Sequence, residues 1–275
     1  MYKAVFIDMD GTLLKKDHTV SDANKQAIHQ LQEKGILVVL ISARPLHGML
    51  PISKHVVTDD MPIVSLNGGY IVHNNEVIFQ SAISLPDAIT INRELKDTAL
   101  SSMYYSQMEW YAEVENDRIK KEQRITPVKI KIQPFPETLK EWEVGVTGPN
   151  KVLIAGDKEL ILSIEKRLNE LHKGQLNIYK SQPEYLEVIS LEASKASAIE
   201  FIIDRYGIGK KEIIAIGDNY NDKGMIEFAG MGIAMGNAPQ EIKLAANYVT
   251  DTNNNDGVAK ALHHFFDLKN DMNYI

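Results

Sequence analysis

The segment Asp8-Met9-Asp10-Gly11-Thr12-Leu13, directly after the apolar run Ala4–Ile7, decides the fold of this 275-residue chain. A continuous apolar run of this kind predicts a parallel strand that is buried on both faces of a sheet. Two carboxylates follow it where the strand leaves the sheet, at the edge where α/β proteins bind ligands. The segment therefore predicts a buried strand with a polar site at its carboxyl end.

Two further polar motifs follow apolar runs in the same way. Ser42-Ala43-Arg44 follows the run Ile36–Ile41, and Gly217-Asp218-Asn219-Tyr220-Asn221-Asp222 follows the run Ile213–Ile216. The carboxyl ends of parallel strands share one edge of a sheet. We therefore expect the three motifs to meet in space although they are distant in sequence.

Strands and helical patterns alternate in the first and last thirds of the chain, which predicts a doubly wound, mainly parallel, Rossmann-like α/β core. Ser21 suits the N-cap of a helix, and Gly35 and Gly207 suit left-handed helix ends. The segment Tyr70–Gln80 is typical of a hairpin that turns at Asn74-Asn75.

The middle of the chain has clustered tyrosines and alternating segments such as Met103–Val114, which predict an inserted α+β domain, here called the cap. We predict a first part of the core at 1–83, the cap at 84–188 and a second part of the core at 189–275. The cap aromatics could line a substrate pocket or form the cap's own core, and the second is favoured. They are Tyr104, Tyr105, Trp110, Tyr111 and Trp142.

The polar motifs combine into one chemistry. Carboxylates grouped in one site oppose each other's ionisation and need a cation. Hard oxygen ligands without a Cys or His cluster indicate Mg²⁺ rather than zinc. The Ser42 hydroxyl and backbone N–H groups near Asp10–Thr12 can bind phosphoryl oxygens. Two carboxylates two residues apart can act as nucleophile and as general acid/base. The grouped carboxylates are Asp8, Asp10, Asp218 and Asp222.

With these motifs in this order, the chain resembles the haloacid dehalogenase-like superfamily, and its large insertion resembles the Cof-type branch, subfamily IIB. The Asn67-Gly68-Gly69 stretch is also similar to that branch. The resemblance implies a phosphatase that forms an aspartyl-phosphate on Asp8. Asp10 would be the general acid/base, and Lys195 would pair with Asp8 and the transferring phosphate. Alanine stands at 43 and at 196, where the family usually has glycine.

The resemblance also implies ligand sets. The metal ligands would be Asp8, Asp10 (with its backbone carbonyl) and Asp218, with Asp222 supporting either the metal or Lys195. The substrate-binding residues would be Gly11, Thr12, Ser42, Ala43, Arg44, Lys195, Asn221 and Asn237. Sugar phosphates, pyridoxal phosphate, flavin mononucleotide and nucleotides all occur as substrates among similar enzymes. The expected partner is thus a small phosphorylated metabolite.

Composition restricts the setting. The net charge of −7 offers no basic surplus for a nucleic-acid backbone. The absence of cysteine excludes disulfides and fits a reducing cytoplasm. The N-terminus lacks a signal-peptide apolar region and the apolar runs are short, so we expect a cytoplasmic protein that binds no membrane. We expect a monomer or a weak homo-oligomer.

Two other functions remain open at this stage. A phosphotransferase or phosphomutase would use the same aspartyl-phosphate but pass the phosphoryl group to another hydroxyl. A catalytically silent ligand-binding protein is the alternative from another class. It would not need both Asp8 and Asp10.

Overall fold

The computed structural model describes residues 1–125, 129–145 and 147–269. Two β-sheets and their covering helices make up this part of the chain. The strands are β1 (Ala4–Asp8), β2 (Leu37–Ile41), β3 (Ile63–Ser65), β4 (Tyr70–His73), β5 (Glu76–Gln80), β6 (Ser101–Ser106), β7 (Glu109–Ala112), β8 (Lys131–Ile132), β9 (Lys151–Ala155), β10 (Leu176–Gln182), β11 (Tyr185–Ser190), β12 (Ile213–Gly217), β13 (Met231–Ala234) and β14 (Tyr248–Val249). The helices are α1 (Asp22–Glu33), α2 (Leu46–Ser53), α3 (Leu85–Leu95), α4 (Asp117–Ile125), α5 (Phe135–Gly145), α6 (Lys158–Leu171), α7 (Lys195–Tyr206), α8 (Lys223–Phe228), α9 (Gln240–Ala245) and α10 (Gly257–Phe265).

The first sheet has the strand order β14-β13-β12-β1-β2-β3-β4-β5. The six strands from β14 to β3 are parallel, and β4 and β5 extend the sheet in an antiparallel manner. Helices cover both faces. The predicted doubly wound, mainly parallel α/β core is therefore confirmed.

Strand β1 is fixed at the centre of this sheet because both of its faces are apolar. Val5 and Ile7 belong to a buried cluster that includes residues of α1 and α10. Ala4 and Phe6 point to the opposite face, into a cluster that includes residues of α7. Burying each large side chain stabilises the fold by about 1.5–3 kcal/mol. This packing fixes Asp8, the last residue of the strand, at the edge of the sheet.

Helix ends follow the capping signals in the sequence. The Ser21 hydroxyl accepts from the Asn24 N–H at the start of α1, and Gly35 beyond its end has a φ of +75°. Gly207 ends α7 in the left-handed conformation with a φ of +62°. The β4–β5 hairpin turns at Asn74 and Asn75, both at positive φ, which matches the twist of the two strands. These local predictions are confirmed.

The second sheet has the order β10-β11-β9-β6-β7-β8 and is antiparallel except between β7 and β8. Helices α3, α5 and α6 cover one of its faces. Its strands begin at Ser101 and end at Ser190. The division of the chain at 83/84 and 188/189 stays a prediction. None of the helices in the described ranges is long and apolar enough to cross a membrane.

The cap aromatics are buried on both faces of the second sheet. Tyr104 and Tyr111 lie edge-on to Trp142, with ring centroids 5.6 and 5.8 Å away. Tyr105 stacks on Trp110 at a centroid distance of 4.9 Å on the other face of the sheet. Each of the five is at most 5% exposed. Tyr104, Tyr111 and Trp142 pack within the cap's own core, as predicted. Tyr105 and Trp110 instead pack in a cluster that also includes Leu46, Leu66 and Tyr70 from the side of the first sheet, and Tyr105 lines a small cavity there.

Candidate active site

The loops after β1, β2 and β12 meet at one edge of the first sheet, as the strand order requires. They surround a cavity of about 510 Å³, which the second sheet covers from the opposite side. Its walls include half of the twelve residues predicted for the site. These are Asp8, Asp10, Ser42, Ala43, Lys195 and Asn221.

Lys195 joins two of the motifs at the base of this cavity. Its Nζ lies 2.5 Å from Asp8 Oδ1 and 2.5 Å from Asp222 Oδ1, and its side chain is 1% exposed. The reach comes from α7, which begins at Lys195 because Ser194 and Ser197 form a reciprocal capping box at that point. The lysine therefore reaches Asp8 although alanine follows it at position 196.

Three carboxylates surround this lysine. Oxygen atoms of Asp8, Asp218 and Asp222 lie within 4.8 Å of one another. Burial and the charge of Asp222 hold the pKa of Asp8 well above its ordinary value, although Lys195 opposes this. Burial and the same charge raise the pKa of Asp218 to about 7. One ammonium group does not balance three carboxylates, so the cluster suits a divalent cation.

Lys195 itself remains charged. Burial alone would lower its pKa, but the charges of Asp222 and Asp8, with their hydrogen bonds, raise it above the ordinary value. A buried ammonium group next to the expected nucleophile can neutralise charge on a transferring phosphoryl group. The pairing of Lys195 with Asp8 requires a charged lysine, and the raised pKa provides it.

Asp222 is held from both sides. Its Oδ1 accepts from Lys195, and its Oδ2 accepts from the backbone N–H groups of Asp218 and Asn219 at 2.9 and 3.0 Å. Gly217 is needed nearby, since a Cβ there would lie 2.5 Å from the Cβ of Asp222. Asp222 thus shapes the loop that carries Asp218 and also positions Lys195.

Gly11, Thr12 and Asn237 contact Asp218. Gly11 has a φ of +81°, and a Cβ there would lie 2.3 Å from Asp218 Oδ2. The Thr12 hydroxyl donates to Asp218 Oδ1 at 3.0 Å. Asn237 Nδ2 donates to the Gly11 carbonyl at 2.8 Å and lies 3.3 Å from Asp218 Oδ2. These contacts fix the orientation of Asp218, and a role of the three residues in substrate binding stays a prediction.

The Asp10 carboxylate faces Arg44 rather than the carboxylate cluster. Arg44 Nε donates to one oxygen at 2.6 Å, and a terminal guanidinium nitrogen donates to the other at 2.7 Å. The Ser42 hydroxyl accepts from the Arg44 backbone N–H at 3.1 Å, so the loop after β2 orients this arginine. The bidentate pair holds Asp10 at the cavity wall with its side chain 46% exposed.

Four residues without a predicted role also belong to the site. Asn67 follows β3, and Lys151, Tyr179 and Glu187 lie on strands of the second sheet. Asn67, Tyr179 and Glu187 line the main cavity, whereas Lys151 lines a smaller adjoining one. A signal for Glu187 exists in the sequence, because a lone carboxylate interrupts the apolar residues of β11. The partner of this carboxylate is visible only in the folded chain.

The comparison with known families agrees with this geometry. Residues 5–262 match the family model of haloacid dehalogenase-like hydrolases. The chain belongs to this family. A solved haloacid dehalogenase-like hydrolase from Bacteroides thetaiotaomicron is 32% identical, with a TM-score of 0.88 over 97% of this chain and 100% of that one. The family predicted from the motifs is confirmed.

Curated relatives extend over the same length. A Haemophilus influenzae protein assigned by name to the phosphatases is 42% identical over 97% of this chain and 99% of its own. The Bacillus subtilis 5-amino-6-(5-phospho-D-ribitylamino)uracil phosphatase YcsE is 32% identical over 96% of this chain and 95% of its own. The predicted enzyme class, a phosphoric monoester hydrolase, is confirmed by these relatives.

Proposed function

We propose that this hydrolase dephosphorylates a small phosphorylated metabolite in a Mg²⁺-dependent reaction through an aspartyl-phosphate on Asp8. The observation that carries the proposal is the bridge from Lys195 to Asp8 and Asp222 inside a buried carboxylate cluster. In this arrangement the Lys195 ammonium group neutralises negative charge next to the Asp8 carboxylate. Asp8 lines a cavity large enough for a metabolite.

In the first half-reaction, a carboxylate oxygen of Asp8 attacks phosphorus, and the bond from phosphorus to the ester oxygen breaks. Asp10, in its protonated form, gives its proton to the departing oxygen. The Ser42 hydroxyl and Lys195 bind phosphoryl oxygens. Asp10 lines the same cavity as Asp8, which supports this division of roles. Arg44 sets the orientation from which Asp10 acts.

In the second half-reaction, water attacks the phosphorus bound to Asp8. Asp10 takes a proton from this water, and the bond between phosphorus and the Asp8 oxygen breaks. Inorganic phosphate leaves, and both aspartates return to their starting forms. The same residue thus serves first as an acid and then as a base.

Asp8 and Asp218 would hold the metal, with Asp222 supporting them. Their carboxylate oxygens are the ligands that Mg²⁺ prefers, and burial together with the charge of Asp222 raises the pKa values of Asp8 and Asp218. When bound, the cation supplies positive charge that lowers the repulsion between Asp8 and the phosphate. Asp10 would add its backbone carbonyl to this set.

The substrate would lie between the two sheets. The cavity wall from the cap is polar and includes Asn177, Ser181 and Gln182 of β10. Amide and hydroxyl groups favour a hydroxylated metabolite such as a sugar phosphate or a phosphorylated ribityl compound. We propose that the cap, residues 84–188, selects the metabolite, while the core performs the chemistry.

Phosphate release from a panel of phosphorylated metabolites, with Mg²⁺ and with EDTA, tests the proposal. The panel contains sugar phosphates, pyridoxal phosphate, flavin mononucleotide, nucleotides and the ribitylaminouracil phosphate named for the Bacillus relative. Asp8→Asn, prepared in parallel, corrects for contaminating phosphatases. Mg²⁺-dependent release that is absent in Asp8→Asn is expected. Transfer to an acceptor hydroxyl without phosphate release would instead favour a phosphotransferase, and no turnover of any ester would refute the proposal.

A further inference from the structure

A buried ion pair that the proposed reaction does not use lies in the cap, next to the site. Lys151 Nζ on β9 and Glu187 Oε2 on β11 are 3.0 Å apart, with side chains 6% and 7% exposed. A buried pair is costly to desolvate and is retained only with good geometry and further hydrogen bonds. The partners that supply these hydrogen bonds indicate what the pair does.

Two of those partners, Ala43 and Asn67, belong to loops of the first sheet. Lys151 Nζ donates to the Ala43 carbonyl, in the loop after β2, at 3.3 Å. Glu187 Oε2 accepts from Asn67 Nδ2 at 3.0 Å. The Tyr179 hydroxyl donates to the same carboxylate oxygen at 3.1 Å and accepts from Asn67 Nδ2 at 2.6 Å. The ion pair therefore connects the cap to two core loops.

Asn67 passes the connection on to the loop after β12. Its Oδ1 accepts from Asn221 Nδ2 at 3.2 Å, and Asn221 lines the cavity beside Asp8. The backbone that carries Asn67 is in the left-handed conformation, since Leu66 and Asn67 have φ values of +52° and +56°. Left-handed backbone is uncommon for a bulky residue such as Leu66 and costs about 1–3 kcal/mol. The surrounding contacts thus enforce the orientation of Asn67.

The charge of Glu187 determines which way the amides point. Burial alone would raise its pKa, but the charge and hydrogen bond of Lys151 and further hydrogen bonds lower it, so the group is ionised. An ionised carboxylate only accepts hydrogen bonds. Asn67 must then present its NH₂ group to Glu187 and its carbonyl to Asn221. Asn221 in turn donates from its NH₂ group to Asn67, and its side chain lines the cavity.

We infer that Glu187 is a positioning residue of the phosphate site. Glu187 lies between the two sheets and orients Asn221 through Asn67. The contact between cap and core thereby completes the set of side chains that donate hydrogen bonds to the phosphate. The inference rests on the proposed phosphatase function. It also explains why a charged pair is buried at a boundary that an apolar pair could fill.

The test substitutes the carboxylate by its isosteric amide. Glu187→Gln can donate as well as accept, so it no longer specifies the orientation of Asn67. We expect kcat/KM to fall about 10- to 100-fold, since slight misplacement of a binding group has effects of this size. The dissociation constant of inorganic phosphate, measured by calorimetry with Mg²⁺, should rise in parallel. The Mg²⁺ concentration that gives half-maximal rate should stay unchanged.

Two further measurements separate positioning from loss of structure. If Glu187 acts through Asn67, the double variant with Asn67→Ala should be no worse than Asn67→Ala alone. Asp87→Asn is the matched control, because Asp87 pairs with the buried His172 inside the cap and contacts neither Asn67 nor Asn221. It should leave kcat/KM and phosphate affinity unchanged.

The outcomes are distinct. If the wild type is active and Glu187→Gln binds phosphate with unchanged affinity, the inference is overturned. Additive losses of kcat/KM in the Glu187→Gln and Asn67→Ala double variant would also overturn it, as would an equal loss of kcat/KM in Asp87→Asn. If no ester is hydrolysed by the wild type, the proposed function fails, while the calorimetry still reports on the positioning of Asn221. Should Glu187→Gln not fold, Tyr179→Phe removes one hydroxyl of the same network. It should weaken phosphate binding in the same direction, and an unchanged affinity would refute the inference.

Discussion

Asp218→Asn should stabilise the metal-free protein at pH 8, although it removes an expected metal ligand. In the fold, burial and the charge of Asp222 raise the pKa of Asp218 from 3.8 to about 7. The folded state therefore holds this proton more tightly than the unfolded chain. The unfolding free energy is highest below the ordinary pKa and decreases as the pH rises toward 7. An asparagine carries no charge and avoids this loss.

The magnitude follows from the same values. A rise from 3.8 to about 7 corresponds to about 4 kcal/mol at a pH above both values. The substitution has a cost, because Asp218 accepts hydrogen bonds from Thr12 and Asn237 and an amide can keep only one of them as an acceptor. Losing one such bond costs about 1 kcal/mol. We expect a net stabilisation of about 2–4 kcal/mol at pH 8 and close to none at pH 4.

Urea unfolding in EDTA, repeated between pH 4 and pH 8, measures this effect. With Mg²⁺ present the order should reverse, because the wild type gains binding free energy that Asp218→Asn lacks. Asp251→Asn is the control of opposite sign. Hydrogen bonds from Lys260 and Thr252 lower the pKa of Asp251 to about 2, so its contribution is present at neutral pH and is lost on acidification. If metal-free Asp218→Asn were no more stable than the wild type at pH 8, the electrostatic account of the cluster would be wrong.

The remaining predictions concern the reaction itself. Asp8→Asn should abolish phosphate release and retain the fold by circular dichroism, and about a tenth of wild-type activity would contradict the covalent route. Asp10→Asn should slow hydrolysis of alkyl phosphates by roughly 10²–10⁴-fold, and that of nitrophenyl phosphate less. Equal losses would count against an acid role. Lys195→Met should lower kcat more than it raises KM and should cost about 3–5 kcal/mol in urea unfolding, since it leaves buried carboxylates unpaired. An unchanged kcat would exclude the lysine from the transition state. Gln182→Ala in the cap should change relative rates among esters without changing Mg²⁺ dependence, and unaltered preferences would remove this residue from substrate selection.

Part of this site could be predicted from the sequence because it depends on local patterns. The apolar run of β1 required a strand buried on both faces, and the polar residues after it then had to lie at the sheet edge. The same reasoning applies to the strands before Ser42 and Asp218. Parallel strands aligned in one sheet bring such loops together whatever their separation in sequence. The predicted pairing of Asp8 with Lys195, in contrast, needed the resemblance to the family.

Only the tertiary structure decided which charged side chains pair with each other when they are far apart in sequence. Nothing near Asp10 in sequence indicates that its carboxylate faces Arg44, because that pairing depends on the course of two separate loops. The lone carboxylate of Glu187 stands out among the apolar residues of β11, but its pairing with Lys151 is visible only in the folded chain. The neighbours of a charged side chain in sequence do not identify its partner. Its role is set by the groups that replace water around it, and those come from distant parts of the chain.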